Sequence, residues 1–238
     1  MHIQPRPWSD YGVATLLGVQ LFLTFVVVPL SVSHPVWHAL IPFGNLLFAA
    51  VCAFLLTRRH AVRAALLAGV LALAVLPTAH RLLVKSGFDP VAWREAITGI
   101  AFCFNLLVTA LVGLHAFGPG QVTVHRIQGA VLVYLNVAVL FGIAYGFLEA
   151  HAPGAVQLAN GQHLPPMPQV QTAELNYFSM ATITTTGYGD LAPVHPLARS
   201  LANLEAFFGQ LFPAIFLARL VALHLAHSGA VREEDEGR

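Results

Sequence analysis

The sequence predicts an all-α integral membrane protein, and three observations carry that expectation. Of the 238 residues, 57% are hydrophobic and only 10% are charged, where a soluble domain carries about 25% charged residues. The mean hydropathy is +0.70. The apolar residues also gather into runs at 11–30, 41–57, 61–84, 96–117, 127–148 and 197–225, each close to the roughly 20 residues that a helix needs to cross a hydrocarbon core. Six transmembrane helices are therefore expected.

The first run is followed by Ser31-Val32-Ser33, small residues of the kind a signal peptidase accepts. Its apolar stretch exceeds the roughly 7–15 residues of a signal core, and Pro29 lies inside its end, so a retained helix is expected. The second run is short and opens at Pro42, a residue suited to a first helical turn. Placing the N-terminus inside puts Arg6, Arg58, Arg59, Arg63, Arg126, Arg219, Arg232 and Arg238 on or near the cytoplasmic side. It leaves Arg81, Lys85, Arg94 and Arg199 outside. That bias favours both termini in the cytoplasm.

Between the fifth and sixth runs lies an outside segment, residues 149–196. Its first part, HAPGAVQLANGQHLPPMPQVQ, is rich in Pro, Gly and Gln and reads as an exposed loop. Its second part, TAELNYFSMATIT, is half apolar and too short to span, with Thr172 and Glu174 marking a helix start. A loop, a short helix, an irregular strip and a final helix make a re-entrant hairpin. Such backbone is tolerated at membrane depth only where protein buries it or water lines it.

The strip is TITTTGYGD, residues 182–190. A segment without regular hydrogen bonding leaves its carbonyl oxygens free. Rings of such carbonyls from several converging copies replace a cation's water shell. Glycine suits the strip because the carbonyls align only where alternate residues take backbone angles closed to bulky side chains. Thr185 adds a ring of hydroxyls below.

ATITTTGYGD, residues 181–190, resembles the signature of the potassium-channel family, whose filter reads Thr-Val-Gly-Tyr-Gly followed by Asp. The resemblance covers roughly residues 125–227 and implies a tetrameric channel with a re-entrant pore helix and selectivity filter. It assigns the filter to Thr185, Thr186, Gly187, Tyr188 and Gly189, with K+ ions held at Thr185, Thr186, Gly187 and Tyr188 and no other cofactor. Asp190 takes the outer acid position, Tyr177 and Phe178 match the aromatic pair of the pore helix, and Thr184 supports the filter. LEAFFGQLFPAIFLARLV, residues 204–221, resembles the inner helix of small bacterial relatives. Gly209 falls at its hinge-glycine position, nineteen residues after Asp190. Gln210 and Leu217 are expected to face the cavity. Pro213 removes a rung of the helical ladder, either kinking the helix near a gate or bending it passively. Thr186 departs from the family's usual Val or Ile, placing a hydroxyl that needs a partner behind the filter.

This reading divides the chain into a peripheral bundle at 1–120, a pore domain at 121–227 and a short charged cytoplasmic tail at 228–238, expected to be disordered. The fourth run, AITGIAFCFNLLVTALVGLH, holds no arginine. Moving one charge through 100 mV is worth about 2.3 kcal/mol, so without such charges a voltage lever of the known type is missing. The expected function is passive, K+-selective conduction by a homotetramer in the lipid of the plasma membrane, of the bacterial inner-membrane kind, with no covalent chemistry.

Particular residues bear on other functions. The net charge is +1 and no basic block exists, which argues against nucleic acid. Cys52 and Cys103 sit singly in apolar runs and form neither a disulfide framework nor a metal site. Among twelve histidines, His80 and His115 close helices at opposite depths; His34, His38 and His80 lie near one surface, where they anchor helix ends or, as the lesser reading, meet a ligand. A weakly selective cation channel, a membrane enzyme using Ser179 with a histidine, and a haem protein are the alternatives. Asn45, Asn105 and Asn136 are expected to hydrogen-bond between helices. Glu205, about 12 Å inside the last helix, is expected to brace the filter from behind through hydrogen bonds from Thr182, Thr184 or Thr186; a water pocket or a neighbouring subunit's polar group is the alternative.

Overall fold

A computed structural model describes residues 7–34, 60–83, 90–118 and 123–236, with residues 37, 40, 41, 44, 47, 48, 51 and 52 between them. Most of the second run, and with it Asn45, Arg58 and Arg59, lies outside the described residues, as do His38 and Lys85. Helix α1 runs from Pro7 to Phe22 and continues through a π turn, Leu23–Val27, and a last α turn, Val28–Leu30. The π turn closes with the Val28 amide on the Leu23 carbonyl, just before Pro29, which has no amide hydrogen to give. Helices α2 (His60–Leu83), α3 (Pro90–Ala116) and α4 (Val124–His151) follow, covering the third, fourth and fifth runs.

The segment after α4 departs from its reading as an exposed loop. It forms strand β1 (Val156–Leu158), which pairs antiparallel with β2 (Leu191–Pro193) in the register Val156↔Pro193, Gln157↔Ala192 and Leu158↔Leu191. Ala155, Val156 and Leu164 are buried. The polar composition misled because these backbone groups find partners on the returning chain: Ala159 donates to Asp190 at 2.8 Å and Val194 to Ala155 at 2.8 Å. Between the strands lies α5 (Pro168–Ile183), which starts four residues before Thr172. Pro168 stands in its first turn, where a missing amide hydrogen costs nothing.

Helix α6 (Pro196–Glu236) passes through Pro213 without ending. The charged tail extends it rather than being disordered: residues 228–236 hold no proline, and Glu233, Glu234 and Glu236 are good helix formers. Among the described residues, Gly12–Leu30, Glu95–Ala116, Val124–His151 and Pro196–Ala222 are long and apolar enough to cross a membrane.

The core divides in two. One cluster joins α1, α2, α3 and α4 through Leu16, Leu66, Val70, Val108, Val112 and Leu132. The other packs Tyr145 of α4, Leu175 and Phe178 of α5, Val156, Leu191 and Ala198 at the opposite end. Helix α4 belongs to both and so carries α5 on the bundle. Asn105 bonds within its own helix, to the Ala101 carbonyl at 2.9 Å, not between helices. Asn136 is fully buried, and its amide atoms have no partner among the described residues.

Candidate functional site

The strip leaves the end of α5 with its amides turned back onto the helix. Thr185 donates to Thr182 at 2.9 Å, and Thr186 and Gly187 both donate to the Ala181 carbonyl, at 2.9 and 3.1 Å. Backbone groups that do not pair with backbone need another partner. Among the described residues, no hydrogen bond reaches the carbonyls of Thr185 through Gly189. Here φ is +57° at Thr185, +57° at Gly187 and +81° at Gly189, while Thr186 and Tyr188 stay on the ordinary side. Alternation of this kind lets successive carbonyls turn toward one side of a chain. Glycine takes such angles freely; at Thr185 the same angle is strained, a condition that marks functional backbone.

Side chains hold the strip on its outer flank. The Tyr177 hydroxyl donates to Asp190 Oδ2 at 2.8 Å, and its ring stacks on Tyr188 at 5.9 Å between centroids. The bond to the Asp190 carboxylate pushes the Tyr177 phenol up to about 12. Thr184 donates to the Met180 carbonyl at 2.6 Å and meets the Thr186 hydroxyl at 2.8 Å. Thr184's one proton is committed to Met180, so Thr186 is the donor to Thr184. The unusual hydroxyl at 186 therefore has its partner.

Glu205 is fully buried, and its partners are not the three threonines. Thr182 bonds Phe178 of its own helix, and Thr184 and Thr186 bond as above. Glu205 instead meets the Tyr145 hydroxyl at 2.7 Å through Oε2 and the Ser179 hydroxyl through Oε1. Ser179, weighed as a nucleophile, is engaged here and also lies 2.6 Å from the Ala138 carbonyl. Just below, the Ile183 carbonyl closes α5. It accepts from Tyr134 at 2.7 Å and lies so near Gly209 that an added Cβ would stand 1.9 Å from its oxygen. Gly209 is thus a close-approach glycine between two backbones, within an unbroken helix.

Glu205, Gly209, Phe212 and Phe216 follow one stripe of α6 toward the fold. Gln210, Pro213 and Leu217 lie exposed on another. If the latter face water below the strip, Gln210→Cys should react with a water-soluble thiol reagent at least about tenfold faster than Cys103, which is exposed beside the apolar residues Ala96, Ile100 and Leu107. Equal, slow labelling at both sites would mean that this face is packed against lipid or protein.

Two contacts escaped sequence reasoning. Arg219 donates to the Phe117 carbonyl at 2.6 Å and packs over the Phe117 ring at 5.5 Å, a cation at the C-terminal end of α3. Glu149 accepts the amides of Gly154 at 2.6 Å and Val156 at 3.2 Å. Only the acid's position at a helix C-terminus, where the dipole disfavours it, hinted at such a role.

Residues 165–224 match the family model described as Ion channel. The match takes in α5, the strip, β2 and the apolar part of α6, which is the part of the chain where the alternating backbone and its supports lie. It supports an ion-channel domain over these elements, in a chain whose long apolar helices suit a multi-pass membrane protein. No curated protein matches the chain.

Proposed function

We propose that the chain is one subunit of a homotetrameric K+ channel of the six-helix kind, with Thr185–Gly189 as the selectivity filter, α5 as the pore helix and α6 as the inner helix. The observation that carries this reading is the alternation of φ at Thr185, Gly187 and Gly189 above amides that are already bonded to the pore helix. One strip supplies only one side of a carbonyl ring, so closing the ring requires symmetric copies. Tyr188 is 69% exposed in the single chain, and Leu204, Phe207, Leu211 and Ile215 leave an apolar face along α6; both are surfaces that neighbouring subunits would cover.

In this mechanism K+ sheds water at the outer acid, Asp190, and passes between carbonyl rings spaced along the strip. The energy of each ring offsets the lost hydration. Both termini are assigned to the cytoplasm of a bacterial-type inner membrane on the arginine bias, and the arginine-free α3 core argues against voltage-driven opening. A second reading, a filter that also admits Na+, draws on the Thr186 hydroxyl. Bi-ionic reversal potentials of the purified protein in bilayers decide between them. The expected result is a K+ preference of at least about 100-fold, corresponding to roughly 2.7 kcal/mol. Equal permeability would establish the second reading, and a particle that is not a tetramer would sink both.

A further inference from the structure

Behind the proposed filter, three oxygen–oxygen contacts run in series across three helices. Tyr145 of α4 meets Glu205 Oε2, Glu205 Oε1 of α6 meets Ser179 of α5, and Ser179 meets the Ala138 carbonyl of α4. Each contact at hydrogen-bond distance needs one proton between its oxygens. The Tyr145 hydroxyl supplies one and the Ser179 hydroxyl supplies one; a carbonyl supplies none. The third proton has a single possible source, the Glu205 carboxyl.

The surroundings agree with that count. Glu205 and Ser179 are both fully buried, within a segment long and apolar enough to span a membrane. An ionised carboxylate there would need a cation. Arg219 lies fourteen positions along the same helix, roughly 21 Å away, and is engaged with Phe117 and Gly118. Among the described residues, the titratable groups facing Glu205 are the phenols of Tyr145 and Tyr134, both on α4; α5 presents Ser179.

We propose that Glu205 is a neutral carboxylic acid whose proton pins α4, α5 and α6 together, so that alkaline pH removes the pin, loosens the pore helix and lowers conduction. The pin itself follows from the contacts; its effect on conduction rests on the channel reading. When hydroxide takes the Oε1 proton, water and a carboxylate result. Ser179 then has one proton for two acceptors, and either the carboxylate or the Ala138 carbonyl faces a bare oxygen. The neighbouring Ile183 carbonyl, wedged between Tyr134 and Gly209, carries that disturbance to the start of the filter.

The test uses the full chain in lipid vesicles as wild type, Glu205→Gln and Ser179→Ala. A glutamine can donate to Ser179 and accept from Tyr145, which keeps all three bonds without a titrating proton. At neutral pH the wild-type infrared spectrum should contain the C=O stretch of a protonated carboxyl that Glu205→Gln lacks. Ser179→Ala should shift this band, since the acid loses its acceptor. On raising the pH, the wild-type band should vanish while current falls about tenfold or more, the scale of one unsatisfied buried group. The ratio of alkaline to neutral current in Glu205→Gln should stay flat. Identical neutral-pH spectra in wild type and Glu205→Gln would overturn the proposal, as would an equal alkaline loss of current in both. The expected bands in a protein that passes no K+ would uphold the pin and remove the channel reading.

Discussion

Gly209→Ala should abolish the native seat of α5 on α6. The added methyl would stand 1.9 Å from the Ile183 oxygen and 2.8 Å from its carbonyl carbon, and both atoms belong to backbone that cannot rotate aside. Overpacking of this kind costs about 1–3 kcal/mol and occasionally more, and here the Tyr134 bond to the same carbonyl would be strained with it. The expected result is a melting temperature lower by several degrees and, on the proposed channel function, loss of assembly and of K+ current. Gly99→Ala is the control, since an added Cβ there meets nothing within 4 Å and alanine is the better helix former. A Gly209→Ala protein with wild-type thermal stability and altered opening would mean that the glycine serves as a hinge instead.

Glu149→Leu should detach the small sheet from the end of α4. The carboxylate is 5% exposed and is the acceptor for the Gly154 and Val156 amides. Leucine fills the space and leaves two donors facing hydrocarbon, each costing about 1–3 kcal/mol. Hydrogen exchange at Val156–Leu158 should then accelerate at least about tenfold, with the exchange of α3 unchanged. Glu149→Gln, which keeps one acceptor oxygen, should fall between the two. Unchanged protection of β1 in Glu149→Leu would show that the ladder to β2 alone holds the segment.

What the sequence disclosed and what it hid differ in range. Thr185, Gly187 and Gly189 were readable because an alternating backbone demands residue types that apolar helices do not use, within nine consecutive positions. The long helices were readable from their apolar runs. The strand pair was hidden because Val156-Gln157-Leu158 is flanked by Gly and Pro, and its partner lies beyond an entire helix. The partners of Glu205 were hidden for a related reason. Depth along α6 was calculable and pointed to the level of α5, but the rotation of α5 decides whether Thr182 or Ser179 faces the acid, and Tyr145 stands sixty positions away. Pro168 was passed over as loop composition although its place in a first helical turn is favourable.

The β1–β2 pairing also sets an order of events during synthesis. Val156 must wait for Pro193, about 37 positions later, which at 5–20 residues per second is roughly 2–7 s. In that interval α5 and the strip emerge with no closed base, and Gly154 and Val156 have only the Glu149 carboxylate to hold them. Pairing then closes a loop whose contact order is high for so small a sheet, after the whole strip has been synthesised. A chain stalled before Leu191 would thus carry every residue of the strip and none of the ladder that encloses it.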